Sequence, residues 1–560
     1  MSFDLIPEPQ SVTLNGEAAD SDDAGAPVPV ALPLVGRISE DRDIDDIAGV
    51  FPTQLADDIE AATGLRWDIA SDVMVAGLPA PNAATAHPVP PHASCWKSFI
   101  TLRLDPSSLE PQEYRLTIAR SGIDVVGGDT EGVRNGVQTL RQIIRQCAPA
   151  LPRLVIADKP AYKVRGYYLD ATRGRVPTLD WLKTWADRLC LYNYNQLQLY
   201  IEHTFMFDDL SETWRGTSPL KPADIIAFDE YCARLGIELV PSVSTFGHQY
   251  MAMRTRELRH LGEFPEDADR QYGFVERQRH HTLNITEPES LAFSFKLIDA
   301  YMQLFRTRKF NICGDETFDL GRGRSKPEAE RRGVAAMYAD FVSQLCRHLS
   351  ERGREPMFWG DIAVEMPQIL GLLPDNVTLL NWLYAPGIGE DKVRLVAQAG
   401  APQYVCSAVW CWNALLPRLD DSWNNISRLA RYGVKYGAVG YLVTDWGDYG
   451  HVNDPRMAVS GMIFGAQCAW NPMAHIQGEA GCGDGEGGSA AGYADAAADV
   501  VRENKAAAIP RRRSRRARKA TITPVVRPTR LRARRPAAMG RVPRCAVAWP
   551  RSNTVTVRAA

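Results

Sequence analysis

Between residues 161 and 475, apolar runs of five to ten residues alternate with longer amphipathic stretches. The pattern predicts strands over Val164–Ala171, Gln196–Glu202, Ile237–Val243, Phe310–Asp315, Pro356–Asp361, Val377–Tyr384, Tyr404–Trp412 and Val439–Trp446. A helical stretch follows each run directly except the third, where a long polar segment from His248 to Thr286 comes first. The first such stretch shows the period, with Leu182, Trp185, Leu189 and Tyr192 on one face. Eight βα units in about 300 residues predict a closed parallel (β/α)8 TIM barrel. An open doubly wound sheet would need a Gly-rich phosphate loop after the first strand, and Arg173-Gly174-Arg175 is not one. Residues 1–160 read as a small α/β accessory domain. There Ser98–Leu104 alternates like a half-buried strand, and Tyr114–Ile118 and Ile123–Val126 flank a turn at Ser121-Gly122. A helix is predicted over 130–146, with Val133, Val137, Leu140 and Ile144 at helical spacing, and a loop near 79–92.

In a TIM barrel the chemistry collects where strands end and βα loops begin. The predicted ends carry Asp170 and Arg173; Glu202 and His203; His248; Asp315 and Glu316; Trp359 and Asp361; Trp382 and Tyr384; Trp410 and Trp412; Trp446 and Asp448. Indoles flanked by carboxylates suit a sugar, whose ring stacks on aromatic faces and whose hydroxyls hydrogen-bond to the acids. Core filling between barrel and helices would account for a single Trp, but less readily for Trp at four of the eight strand ends.

Composition changes this picture in one place. The 560 residues are 45% hydrophobic and 23% charged, which excludes wholesale disorder and a disulfide-dense miniprotein. The formal net charge of −3 hides an asymmetry. Residues 501–560 hold sixteen Arg and two Lys against Glu503 alone, and the first 500 residues hold 66 acids against 46 bases. The run Arg511–Lys519 would bind phosphates without sequence preference. Residues 476–500 are Gly/Ala-rich, and the last 60 have no Phe, no Tyr and no periodicity that could pack. Residues 476–560 are therefore read as a disordered or out-of-frame tail, and nucleic acid is not an expected partner. The eleven Cys form no CxxC pair and complete no metal cluster with His, so no metal and no cofactor are expected. The first residues lack a basic and apolar leader pattern, and no stretch is apolar enough to span a bilayer. The expectation is a cytoplasmic chain with reduced thiols and no membrane partner.

Phe310-Asn311-Ile312-Cys313-Gly314-Asp315-Glu316 resembles the active-site strand of glycoside hydrolase family 20, the β-N-acetylhexosaminidases, with Cys313 in place of a Gly. Val164-Arg165-Gly166 with Asp170, Asn195-Gln196-Leu197, Gly236 to Pro241 ending in Gly247-His248, and Trp446-Gly447-Asp448 resemble other barrel strands of that family in the same order. Gly132 to Leu140 resembles the helix that closes its accessory domain.

The resemblance implies a retaining exo-glycosidase that removes terminal N-acetylhexosamine from an oligosaccharide or glycoconjugate. It implies substrate-assisted catalysis through an oxazoline-type intermediate, an exception to the usual pair of enzyme carboxylates. Carried over by position, Asp315 orients the acetamido group, Glu316 is the general acid/base, and Arg165 grips the sugar hydroxyls. His248 supports the carboxylates, Trp359, Trp382 and Trp446 wall the subsite, and Asp448 reaches the outer hydroxyls. Glu202 stands where the family usually presents an Asp, Asp448 replaces a Glu, and Tyr384 is the candidate for the family's acetamido-binding Tyr, beside Trp412. An ionised Asp315 is expected to raise the proton affinity of Glu316. Neighbours on a regular strand point to opposite faces, so both acids can line one pocket only if the chain twists away there. The alternative is a catalytically weak sugar-binding protein of the same fold.

Overall fold

The computed structural model describes residues 3–14, 28–70 and 98–474; the expected loop near 79–92 and the tail from 476 lie outside them. Eight parallel strands close into a barrel in chain order: Arg165–Asp170, Gln196–Ile201, Glu238–Val243, Lys309–Asn311, Glu355–Trp359, Thr378–Trp382, Gln403–Ala408 and Gly440–Asp445. Closure comes from the first and last strands, with Arg165 opposite Tyr441 and Leu169 opposite Asp445.

Alternation along each strand sorts its side chains between two cores. Tyr167, Leu169, Leu197, Leu199, Val405 and Val443 face outward and pack beneath the helices. Tyr168, Tyr200, Val240, Met357, Leu380 and Leu442 face inward and fill the barrel. Both faces are thus buried, which is why the strands read as nearly unbroken apolar runs. Toward the base the interior turns polar and is satisfied internally. Asn311 Nδ2 donates to Gln198 Oε1 (3.1 Å), Gln198 Nε2 to Gln196 Oε1 (3.2 Å), and Gln196 Nε2 to Glu238 Oε2 (2.9 Å). Such a belt is tolerable only because each buried polar group has a partner.

The accessory domain is a seven-stranded mixed sheet ordered Ser11–Leu14, Leu154–Asp158, Tyr114–Ala119, Gly122–Gly127, Ile100–Leu104, Arg37–Glu40 and Asp68–Ala70. Helices Val50–Thr63 and Thr130–Cys147 contribute to its core. Asp129 caps the second helix by accepting from Gly132 N (2.7 Å). A Cβ on Gly132 would fall 2.3 Å from Glu113 O, so this helix lies closer to the sheet than any side chain permits. From the same helix Arg134 reaches the barrel, donating to Gly236 O (2.6 Å) and Tyr194 O (3.3 Å). Among the described residues no helix is long and apolar enough to cross a membrane.

Candidate active site

The fourth strand stops early. Its ladder ends at Asn311, and Cys313 (φ 60°), Gly314 (φ 80°) and Glu316 (φ 49°) then take left-handed backbone conformations. Non-glycine residues there are strained and persist only where surrounding structure holds them. This is the required twist, and it begins two residues before Asp315. The segment after the third strand is pressed against the turn: a Cβ on Gly247 would lie 2.5 Å from Asp315 O. His248, itself at φ 55°, is thereby delivered to the carboxylates. Its Nε2 lies 3.5 Å from Asp315 Oδ2 and 3.5 Å from Glu316 Oε2.

Burial would lower the proton affinity of His248, but Asp315 and then Glu316 outweigh it and hold the imidazole up at about 8. Glu316 is pushed above the ordinary carboxylate range, by burial first and by the Asp315 charge next, with His248 opposing. Its side chain remains 34% open to the pocket, so it can meet a ligand. Asp361, a residue read at a strand end but not placed in the site, completes the turn by accepting from Glu316 N (3.2 Å). Burial and the Asp315 charge push its carboxyl well above the usual range.

A second charged group centres on Arg173. Its Nε donates to Glu202 Oε1 (3.2 Å) and its Nη1 to Asp448 Oδ1 (2.7 Å). The guanidinium sits 5.0 Å from the Trp446 ring centroid. Burial would raise Glu202, but His203, Arg173 and His248 more than offset it and hold the carboxyl at about 2. Asp170 ties the loops together, accepting from Arg173 N (3.0 Å) and Gly447 N (3.0 Å).

The aromatic side of the mouth is continuous. Trp382 stacks on Tyr384 (5.1 Å between centroids), Tyr384 meets Trp412 (5.5 Å), and Trp412 meets Trp410 (4.7 Å). Trp446 Nε1 donates to the Tyr384 hydroxyl (2.7 Å), joining the wall to the last strand. Trp359 is fully buried beneath Trp446, at 5.6 Å, and forms the floor under the wall instead of part of it.

Arg165 requires correction. It begins the first strand at the barrel's opposite end, where Nε donates to Asn193 O (2.7 Å), Nη1 to Gln112 Oε1 (2.6 Å) and Nη2 to Glu131 Oε1 (3.0 Å). With those partners and Trp470 beneath it, Arg165 faces the accessory domain and cannot reach a sugar at the mouth. Arg173, eight residues on, occupies the place the reading gave to Arg165. The signal was available, because Arg173 follows its strand whereas Arg165 precedes it. His248, Asp315 and Glu316 also place three possible ligand atoms within 4.8 Å of one another, close enough for a small cation.

Residues 46–159 match the family model for glycosyl hydrolase family 20, domain 2, and residues 162–412 match the model for its catalytic domain. The chain belongs to glycosyl hydrolase family 20. It is 29% identical to a β-hexosaminidase of Akkermansia muciniphila over 341 residues, 54% of this chain and 65% of that protein. It is 26% identical to the lacto-N-biosidase of Bifidobacterium bifidum over 315 residues, 53% of this chain and 26% of that one. The chain thus spans about a quarter to two thirds of the length of these two relatives. The fold matches a crystal structure of β-N-acetylhexosaminidase from Bacteroides fragilis with a TM-score of 0.61 at 17% identity, covering 90% of this chain and 95% of that one. The catalytic-domain match stops at Trp412, so the placement of Trp446 and Asp448 rests on the family 20 barrel's closure and on their contacts with Tyr384 and Arg173.

Proposed function

We propose that this family 20 chain is a retaining exo-β-N-acetylhexosaminidase acting on terminal N-acetylhexosamine of oligosaccharides or glycoconjugates by substrate-assisted catalysis. One observation carries the reading: Asp315 and Glu316 stand together at one turn, two adjacent carboxylates that can serve an acetamido group and a leaving oxygen. Glu202 and Asp448 are bound to Arg173, and Asp361 supports the turn through Glu316 N. Asp315 and Glu316 lie side by side with His248 against both. This arrangement supports a nucleophile supplied by the sugar's own acetamido group.

In the first step the acetamido oxygen attacks the anomeric carbon while Glu316 gives its proton to the departing glycosidic oxygen. Asp315 accepts the acetamido N–H and stabilises the positive charge that develops on the forming oxazoline ring. In the second step Glu316 takes a proton from water as water opens the ring, which restores acid and acetamide with overall retention. The raised affinity of Glu316 suits it to hold a proton until the leaving oxygen needs it. The Trp382–Tyr384–Trp412 wall stacks the sugar, and Arg173 with Asp448 meets its outer hydroxyls.

The test is hydrolysis of aryl N-acetyl-β-glucosaminide and N-acetyl-β-galactosaminide. Turnover is expected on at least one, falling by about 10²–10⁴ in Glu316→Gln. Binding of both sugars without turnover would establish the catalytically weak sugar-binding alternative.

A further inference from the structure

The two segments that meet at the catalytic turn are joined a second time outside it. One runs from His248 to Thr286 after the third strand, and the other starts with Asp315 and Glu316 after the fourth. Three residues beyond Glu316, Asp319 is buried. Its Oδ2 accepts from His281 N (2.9 Å), its Oδ1 faces His280 Nδ1 (3.5 Å), and its own N donates to Thr282 Oγ1 (3.4 Å). His281 passes the connection on, because its carbonyl accepts from Gln249 N (3.1 Å). Gln249 follows His248 directly and is itself anchored, with Nε2 donating to Ser244 O (2.7 Å). The path from Glu316 through Asp319, His281 and Gln249 to His248 thus closes a ring with the 3.5 Å contact between His248 Nε2 and Glu316 Oε2.

Burying a carboxylate is costly unless hydrogen bonds offset it, and the 2.9 Å bond of Asp319 goes to the backbone of the opposite segment. That backbone needs holding. His248 (φ 55°) and His281 (φ 68°) both take left-handed conformations, which persist only where neighbours fix them. The imidazole of His281 does not supply the hold. Among the described residues neither of its ring nitrogens has a hydrogen-bond partner, and the ring packs edge-on against Tyr250 (4.8 Å). A second buried carboxylate, Glu263, accepts from Ser325 N (3.0 Å) and from the Ser325 hydroxyl. Ser325 lies nine residues past Glu316, so the two segments stay joined when Asp319 is changed.

We propose that Asp319 is a positioning residue for the reaction, which holds the His281 backbone and through Gln249 sets the reach of His248 to Asp315 and Glu316. The inference rests on the hexosaminidase reading and adds to it a residue that touches neither the sugar nor the reacting atoms. Its loss should therefore appear in kcat and not in KM.

The experiment is steady-state hydrolysis of an aryl N-acetylhexosaminide by the wild-type chain, Asp319→Ala, Asp319→Asn, His248→Gln and the Asp319→Ala/His248→Gln double variant. Asp319→Ala should lower kcat by about 10-fold, the scale of one hydrogen bond, and leave KM almost unchanged. Asn keeps an oxygen that can accept from His281 N, so Asp319→Asn should return kcat close to the wild-type value. In the His248→Gln background Asp319→Ala should cost less than about 2-fold, because residues that act through one another are not additive. An unchanged kcat, a loss carried by KM, no rescue by Asn, or an equal loss in both backgrounds would each overturn the assignment. If Asp319→Ala does not fold, Asp319→Glu takes its place in the same cycle. It keeps the charge and moves the acceptor by one methylene, so kcat should again fall only where His248 is present, and equal losses overturn the assignment. Wild-type turnover reports separately on the hexosaminidase reading, so the two failures are distinguishable.

Discussion

Arg165 and Arg173 sit eight residues apart, at the two ends of the first barrel strand, and both are buried and paired with glutamate. At the base, Arg165 is enclosed by Asn193 O, Tyr162 O, Gln112 and Glu131, and every partner is protein. Burial there outweighs the help of Glu131, and the guanidinium falls to about 10. At the mouth, Tyr200, Asp448, Asp170 and Glu202 together overcome the same burial, and Arg173 is pushed well above its ordinary range. Asp448 is still 31% open, so this pair borders the pocket. A closed set of partners fastens two domains, and an open set with surplus acid can receive a ligand. Residue type alone does not distinguish them, but the end of the strand does.

The largest expected effect is at the base. Arg165→Met leaves the carbonyls of Asn193 and Tyr162 without their donor and takes one partner from Glu131, which keeps Asn195 and Arg134, and it should cost about 3 kcal/mol or more of stability, at about 1–3 kcal/mol for each buried group left unsatisfied. Denaturant melts would show this, while kcat per folded molecule stays within a few-fold. A normal melt with lost activity would reverse the assignment. At the mouth, Arg173→Gln should raise KM by about 10–100-fold, as expected for losing charge-assisted contacts to sugar hydroxyls. The comparison fails if steady-state kinetics show an unchanged KM.

A smaller effect separates the partners of the catalytic turn. His248 is held at about 8, above its ordinary 6.5. Its charged-state stabilisation is therefore complete below about 6.5 and lost as pH rises through about 8. Removing that charge in His248→Gln leaves Glu316 with a higher proton affinity. The alkaline limb of kcat/KM should then move to higher pH, and the melting temperature should decline less between pH 6.5 and 8. A pH–rate profile with an unmoved limb would show that His248 does not act on Glu316.

Much of the barrel was legible because strands buried on both faces must be apolar runs, and the strand ends marked Asp315, Glu316, His248, Tyr384 and Asp448 as neighbours. The rest depended on contacts between distant residues. Helix Val50–Thr63 was not foreseen: Asp58 interrupts its apolar face, and it is buried only because Arg141 and Arg145 come to it from another helix, at 2.7 and 2.9 Å. The short fourth strand reflects backbone held at positive φ by packing such as that of Gly247 on Asp315, which no periodicity encodes. Trp359 was read as wall because its depth below Trp446 is set by the closed barrel.

The central claim is that the substrate supplies the nucleophile, and a matched pair of aryl glycosides tests it most directly. One carries 2-acetamido and the other 2-hydroxyl, and kcat/KM is measured for both on the wild-type chain and on Asp315→Asn. Intramolecular attack can be worth about 10⁵–10⁸ M in effective concentration, so the 2-hydroxyl sugar should be nearly inert on the wild type. Asp315→Asn should slow the acetamido sugar by about 10²–10³, the scale of one preorganised transition-state contact, and leave the residual rate on the 2-hydroxyl sugar almost unchanged. Comparable wild-type rates on the two sugars would mean that an enzyme carboxylate attacks the anomeric carbon, and the account would be wrong.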